Sequence, residues 1–144
     1  MQCTAPFKPN AVLLNSGIQG YVGVMMDART IKFMLDNMAD MDQIDRSYIW
    51  TILYSHVKSC KIHPRIFVEA ALKSIPNEKQ EITFRYLLSK IDFIMDYYLD
   101  SYHRPKLQKL TFDVLHKKMQ GLHKNASFRN LIVDNMLSFA FGKD

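Results

Sequence analysis

The chain has 144 residues, of which 48% are hydrophobic and 23% are charged, and it contains only five glycines and five prolines. These values are typical of a single globular domain and argue against intrinsic disorder, while the scarcity of turn residues disfavours an all-β fold. No apolar run approaches the roughly 18 residues of a membrane-spanning helix. The two cysteines, Cys3 and Cys60, imply no disulfide framework, so the cytoplasm is the favoured compartment.

The net charge of +5 is concentrated towards the C-terminal end of the sequence. Residues 101–129 contain a single acidic residue, Asp113, against a basic set made of Arg104, Lys106, Lys109, Lys117, Lys118, Lys124 and Arg129. Such a run is more often a solvated helix face than a ligand surface, although it would attract an acidic peptide. It lacks the interleaved aromatic residues of a platform for single-stranded nucleic acid, so nucleic acid is not an expected partner.

Residues 1–26 differ in pattern from the rest of the chain. An apolar run at 11–14 and a second run at 20–25, rich in β-forming residues, flank the turn residues Asn15-Ser16-Gly17. This pattern predicts a short pair of β-strands, or one strand and an extended segment. Two strands alone are marginally stable in water, so we expect them to pack against the first helices or to belong to a larger sheet.

From residue 27 to residue 144 the apolar residues recur at helical spacing, which predicts six helices. Each is expected to begin at a residue that caps or opens a helix, and these residues are Asp27, Asp45, Pro64, Glu78, Pro105 and Ser127. The helices fall into three antiparallel pairs, near 28–60, 64–99 and 105–141. Each pair must bury its apolar stripe against the next, so the predicted fold is mainly all-α, a stack of helix pairs like a HEAT or armadillo superhelix.

The fourth and fifth helices illustrate which residues should form the core. On the fourth helix we expect the buried stripe to contain Ile82, Leu87, Leu88, Ile91, Ile94 and Tyr98. On the fifth helix the corresponding residues are Leu107, Leu110, Val114 and Leu115. Tyr97, Tyr98 and Tyr102 follow at the end of the fourth helix, where they form either the rim of a groove or an aromatic cluster at the edge of the core.

The sequence contains no complete set of catalytic or metal-binding residues. It has no H-E-x-x-H motif, no phosphate-binding glycine loop and no paired-cysteine zinc spacing. His56 and Cys60 would share a helix face, but His63 lies beyond the helix break and no fourth ligand is evident. We therefore interpret His56 as a half-buried histidine and Cys60 as a core cysteine, rather than as parts of a metal site.

Several residues of the first half of the chain resemble a segment of the zinc aminopeptidases of the aminopeptidase N and puromycin-sensitive type. These residues are Asn15, Gly20, Tyr21, Val24, Asp27, Asp45 and Arg46, followed by Asn77, Glu78 and Phe84. In that family the segment joins a small β-sandwich to a C-terminal helical domain. The resemblance extends from about Ala11 to Leu99, and it departs at Gly23, where the family usually has arginine, and at Met26, where an aromatic residue is usual.

The resemblance implies that residues 1–26 end a β-sandwich of a longer parent polypeptide and that residues 27–144 begin its helical C-terminal domain. In such enzymes this domain closes over the active site and encloses the substrate peptide. The zinc and its ligands belong to an earlier domain, so this chain would hold no cofactor and would not be catalytic by itself. Its expected partners are the remainder of the parent and the peptide substrate. Lys106, Lys109, Lys117 and Lys118 are the candidate contacts to the peptide.

Two other functions remain open at this point. One is a non-enzymatic helical scaffold or adaptor on the same fold, because Gly23 already departs from the aminopeptidase pattern. The other is a small helical adaptor or nucleic-acid-associated protein that makes its contact through the basic stretch at 104–129. The coding sequence upstream of Met1 distinguishes the three readings, since only the first requires a zinc motif there.

Overall fold

The computed structural model describes residues 9–17, 20, 22–121 and 126–141, and most of these residues are helical. The mainly all-α fold predicted from the sequence is confirmed. The described helices are α1 (Ala28–Asp36), α2 (Gln43–Lys58), α3 (Pro64–Ser74), α4 (Glu81–Tyr97), α5 (Arg104–Gln120) and α6 (Ala126–Phe141). Short 3₁₀ turns follow α1 at Met38–Asp40 and follow α3 at Ile75–Asn77.

The starts of the first three helices show how local sequence sets their boundaries. Asp27 caps α1 as predicted, because its carboxylate accepts the backbone N–H of Thr30 at 2.8 Å. Pro64 occupies the first turn of α3, also as predicted. The cap predicted at Asp45 is wrong. Asp42 caps α2 instead, and its carboxylate accepts the N–H groups of Ile44 and Asp45 at 2.8 and 3.1 Å, which places Asp45 in the first turn.

The three later starts differ from their predicted positions. Helix α4 begins at Glu81 rather than Glu78, because the carboxylate of Glu78 is buried and engaged with its neighbours instead of opening the helix. Helix α5 begins one residue earlier than predicted, at Arg104, with Pro105 in its first turn. Helix α6 begins at Ala126, so the cap predicted at Ser127 is wrong and that residue lies inside the first turn.

The predicted strand pair is not found among the described residues of the N-terminal segment. Residues 11–13 and 22–27 carry no regular secondary structure, and Tyr21 lies outside the described residues. The segment nevertheless packs against the helices, since Val24 and Met26 are buried. The N–H of Met26 donates to Nε2 of His56 on α2 at 3.0 Å, which satisfies a backbone donor that a strand partner would otherwise take.

A single hydrophobic cluster runs through all six helices. Helix α5 makes its most extensive contact with α6, α3 packs on α4 and α5, and α2 packs on both α3 and α4. The largest fully buried side chains include Trp50, Phe67, Phe84, Leu88 and Ile91. Burial of each such side chain contributes roughly 1.5–3 kcal/mol before entropic costs, so the contacts between helix pairs dominate the stability of the domain.

Three residues assigned to the core by their spacing lie on the surface. The side chain of Ile82 is 79% exposed, that of Leu110 is 42% exposed and that of Tyr98 is 38% exposed. Ile82 is nine residues before the fully buried Ile91, and at about 100° per residue the two lie on opposite sides of α4. Within the described residues, no helix combines the length and apolar character needed to cross a membrane.

Candidate functional site

Four of the residues that carry the aminopeptidase resemblance, Asn15, Asp45, Arg46 and Glu78, lie at or contact the first half of α2. Asn15 forms a pair of hydrogen bonds with Gly20, in which its Nδ2 donates to the Gly20 carbonyl at 2.9 Å and its Oδ1 accepts the Gly20 N–H at 3.0 Å. The same Nδ2 donates to the hydroxyl oxygen of Tyr48 on α2 at 3.2 Å. Asn15 has a φ of 58°, a left-handed conformation that asparagine tolerates better than most residues. The side chain thus closes the turn and joins it to α2.

A second contact joins the same turn to the first residues of α2. The hydroxyl of Ser16 donates to Oδ1 of Asp45 at 2.8 Å. Asp45 is free to accept it because Asp42, and not Asp45, caps the helix. Asn15 and Ser16 therefore hold the N-terminal segment against consecutive turns of α2.

Arg46, which follows Asp45 on α2, forms a partly buried ion pair with Glu78. Nε and Nη2 of Arg46 each lie 3.4 Å from an oxygen of the Glu78 carboxylate, and Nη1 donates to the carbonyl of Met41 at 2.7 Å. Oε1 of Glu78 also accepts the backbone N–H groups of Lys79 and Gln80, both at 2.9 Å. The Glu78 side chain is 1% exposed and that of Arg46 is 18% exposed. A buried carboxylate requires such partners, so the pair fixes the loop before α4 against α2.

A cleft of about 710 Å³ opens beside this ion pair. Its walls include Arg46 and Trp50 from α2, Ile66 and Ala70 from α3, and Glu78 from the loop before α4. The volume falls in the range of about 300–1,000 Å³ that small-molecule pockets occupy. The indole Nε1 of Trp50 is buried and has no hydrogen-bond partner among the described residues. The cleft can accommodate a ligand, but its two buried charged groups already neutralise each other.

The four lysines proposed to contact a peptide separate into two groups. Lys106, Lys109 and Lys117 are exposed on α5. Lys118 is only partly exposed, and its ammonium donates to the carbonyls of Pro76 and Glu78 at 3.1 and 2.9 Å.

The ammonium of Lys118 also lies 5.5 and 5.4 Å from the ring centroids of Phe84 and Phe128. Burial lowers the pKa of Lys118 from its usual value, with the charge of Glu78 acting in the opposite direction. Lys118 thus joins α5 to the loop that carries Glu78. Nothing in its sequence context distinguishes it from Lys117.

The candidate metal residues have structural roles. Nε2 of the buried His56 accepts the N–H of Met26, so its Nδ1–H donates to the Ile52 carbonyl at 2.9 Å. Nδ1 of His63 accepts the N–H of Arg65 at 3.2 Å and caps α3. Cys60 is exposed, which corrects its assignment to the core, and has a φ of 57°. Among the described residues, no group of three or more potential ligands is arranged to hold a metal ion.

Comparisons of the chain with protein-family models, with curated proteins and with solved structures gave no match. The aminopeptidase resemblance therefore rests on the quoted residues alone.

Proposed function

We propose that this chain is the C-terminal helical domain of a zinc aminopeptidase of the aminopeptidase N type. In this role it closes over the active site of the parent enzyme and encloses part of the substrate peptide, without catalysing the reaction itself. The parent polypeptide supplies the zinc ion, its ligands and the general base.

The observation that supports this proposal is the contact network at the start of α2. Asn15 donates to Tyr48 on α2, and Glu78, 63 positions later in the sequence, pairs with Arg46 on the same helix. A segment that joins two domains needs such contacts, because they set the direction in which the helical domain leaves the preceding one.

The arrangement of helices is compatible with a superhelical stack of the HEAT type. Oγ of Ser47 on α2 and Oγ1 of Thr83 on α4 lie 2.8 Å apart near the starts of the two helices. Farther along, Nζ of Lys90 lies 4.9 Å from the ring centroid of Tyr54. Residue numbers rise together along both helices, so α2 and α4 run parallel, as the second helices of successive pairs do in such a stack.

The exposed lysines of α5 can attract acidic peptides in this proposal. Replacing Lys106, Lys109 and Lys117 together in the parent should weaken cleavage of acidic peptides at low salt and leave neutral peptides unaffected. Exposed charges are screened beyond about 10 Å at 0.1 M salt, so the difference should vanish at high salt. Lys118 should be left intact in this experiment, because its ammonium stabilises the loop before α4.

The proposal is tested by reading the coding sequence upstream of Met1. It predicts a β-sandwich immediately before this chain and, farther upstream, a domain with an H-E-x-x-H zinc motif. The isolated chain should bind no stoichiometric zinc and should not cleave an aminoacyl reporter substrate. One tightly bound zinc ion per isolated chain, or an upstream stop codon, would contradict the proposal.

The alternative is a non-enzymatic scaffold on the same fold. The cleft beside Trp50, which is large enough for a ligand, favours this alternative. A β-sandwich without a zinc motif upstream would establish it.

A further inference from the structure

The outward sides of the parallel helices α2 and α4 carry a cluster of aromatic rings and a lysine. We call it the α2–α4 aromatic surface and define it by Tyr54, Tyr86, Lys90, Phe93 and Tyr97. The four residues on α4 are spaced at 86, 90, 93 and 97, so they share one side of the helix. Sequence analysis missed this surface because Tyr54 and Tyr86 belong to different helix pairs.

The apolar part of this surface is large for a region facing solvent. Tyr97 is 72% exposed and Phe93 is 42% exposed, and their ring centroids lie 4.6 Å apart. Ile82, 79% exposed, extends the same side of α4 towards its start. From Ile82 to Tyr97 the stripe is about 22 Å long, because an α-helix rises about 1.5 Å per residue. Contiguous apolar side chains of this kind commonly mark an interaction site.

The cation at the centre of this surface is held in a defined position. Nζ of Lys90 lies 4.9 Å from the ring centroid of Tyr54 and 5.2 Å from that of Tyr86, so the ammonium is between the two rings. Nζ of Lys58 lies 5.4 Å from the same Tyr54 ring. No carboxylate of the described residues lies within 4.0 Å of either ammonium. The surface thus presents a positive charge between aromatic rings, with no ion pair to a carboxylate within the part of the chain that the structure describes.

We propose that the α2–α4 aromatic surface docks an acidic protein segment that also carries apolar side chains. A carboxylate of the partner meets the ammonium of Lys90, and its apolar side chains pack on Phe93 and Tyr97. Charge complementarity selects the acidic partner, and the rings supply contact area at a low entropic cost because tyrosine has few rotatable bonds.

The geometry favours a protein over single-stranded nucleic acid. Binding of nucleic acid would require open ring faces on which bases could stack. The ammonium of Lys90 covers faces of both Tyr54 and Tyr86. This docking surface is independent of the proposed role in an aminopeptidase.

The test is fluorescence anisotropy with three fluorescein-labelled probes. The first is a peptide in which glutamates flank leucine and phenylalanine, the second has glutamine in place of each glutamate, and the third is an oligouridylate. The variants are Lys90→Met, Lys90→Arg and Tyr97→Ser, with Lys32→Met on the exposed side of α1 as the matched control. Circular dichroism of each variant verifies that the helices are intact.

We expect the acidic peptide to bind, and Lys90→Met and Tyr97→Ser each to raise its Kd about tenfold, as truncation of an interface anchor commonly does. Lys90→Arg and Lys32→Met should leave the Kd within about twofold, since the first keeps the charge and the second lies elsewhere. The glutamine peptide should bind more weakly and should not respond to Lys90→Met. Equal Kd values for the two peptides, tighter binding of the oligouridylate, or binding of none of the probes would overturn the proposal.

Discussion

Replacing Glu78 with alanine should destabilise the domain strongly, even though the atoms of the Arg46–Glu78 ion pair that it removes are 3.4 Å apart. The carboxylate of Glu78 is 1% exposed and accepts the N–H groups of Lys79 and Gln80 at 2.9 Å, while its contacts with Arg46 are 3.4 Å. The N–H groups of Lys79 and Gln80 would each lose a partner at about 1 kcal/mol, and the partly buried guanidinium would lose its counter-charge at a similar cost. We therefore expect a loss of about 3 kcal/mol, against a total stability of roughly 5–15 kcal/mol for a domain.

The substitution Glu78→Gln separates these contributions. The amide oxygen of glutamine can still accept the two N–H groups, but its NH₂ group would face the guanidinium of Arg46, so we expect a loss of about 1–1.5 kcal/mol. A matched control is Glu69→Ala. Glu69 pairs with Arg65 at the shorter distance of 2.7 Å, but both side chains are at least 40% exposed. This change should cost less than about 0.5 kcal/mol, because exposed ion pairs contribute little.

The assay is urea unfolding followed by the fluorescence of Trp50, which is the only tryptophan in the chain and is 1% exposed. With a slope of about 2 kcal/mol per M urea, the midpoint for Glu78→Ala should fall by about 1.5 M. A decrease of less than about 0.3 M, or an effect equal to that of Glu69→Ala, would show that Glu78 does not anchor the loop before α4.

Three further results are expected. Leu88→Ala should reduce the free energy of unfolding by about 2–5 kcal/mol, because Leu88 is 1% exposed, and a loss below about 0.5 kcal/mol in urea titration would contradict its place in the core. Lys118→Met should lower the free energy of unfolding by about 1–2 kcal/mol in the same titration, because the carbonyls of Pro76 and Glu78 lose their donor. Lys117→Met should leave the free energy of unfolding unchanged. The N–H of Thr30 holds the pKa of Asp27 below its usual value of 3.8. The Asp27 carboxylate therefore stabilises the fold fully at pH values above 3.8, and this stabilisation is lost as the pH falls through the lowered pKa. Asp27→Asn keeps the cap but does not titrate, so its urea midpoint should fall less steeply with acidification than that of the wild type. Identical slopes would show that the charge of Asp27 is immaterial.

The helical class and the position of most helices could be predicted from sequence because they depend on local periodicity. The stripe through Leu87, Leu88, Ile91 and Ile94 is buried as predicted. The start of α2 could not be decided locally, since Asp42 and Asp45 are both good caps. In the structure Asp42 caps the helix, and Asp45 instead accepts the hydroxyl of Ser16, which lies 29 positions away in the sequence.

The candidate site was less predictable because long polar side chains can reach several partners. Lys117 and Lys118 look alike in sequence, but only the second reaches the carbonyls of the loop before α4. Glu78 was expected to be the first residue of α4, but its carboxylate is buried and the helix begins three residues later, at Glu81. The α2–α4 aromatic surface depends on the parallel alignment of two helices that are not consecutive, which no local pattern reveals.

The proposed place of this chain in a zinc aminopeptidase is tested most directly on the native polypeptide. An antibody raised against the folded chain would capture that polypeptide from its source cells, and its mass and aminopeptidase activity would be measured before and after removal of zinc. We predict a polypeptide much larger than the 16.8 kDa of this chain, with an aminopeptidase activity that is lost on chelation and restored by zinc. A captured polypeptide of any size that has no zinc-dependent aminopeptidase activity would contradict the proposal.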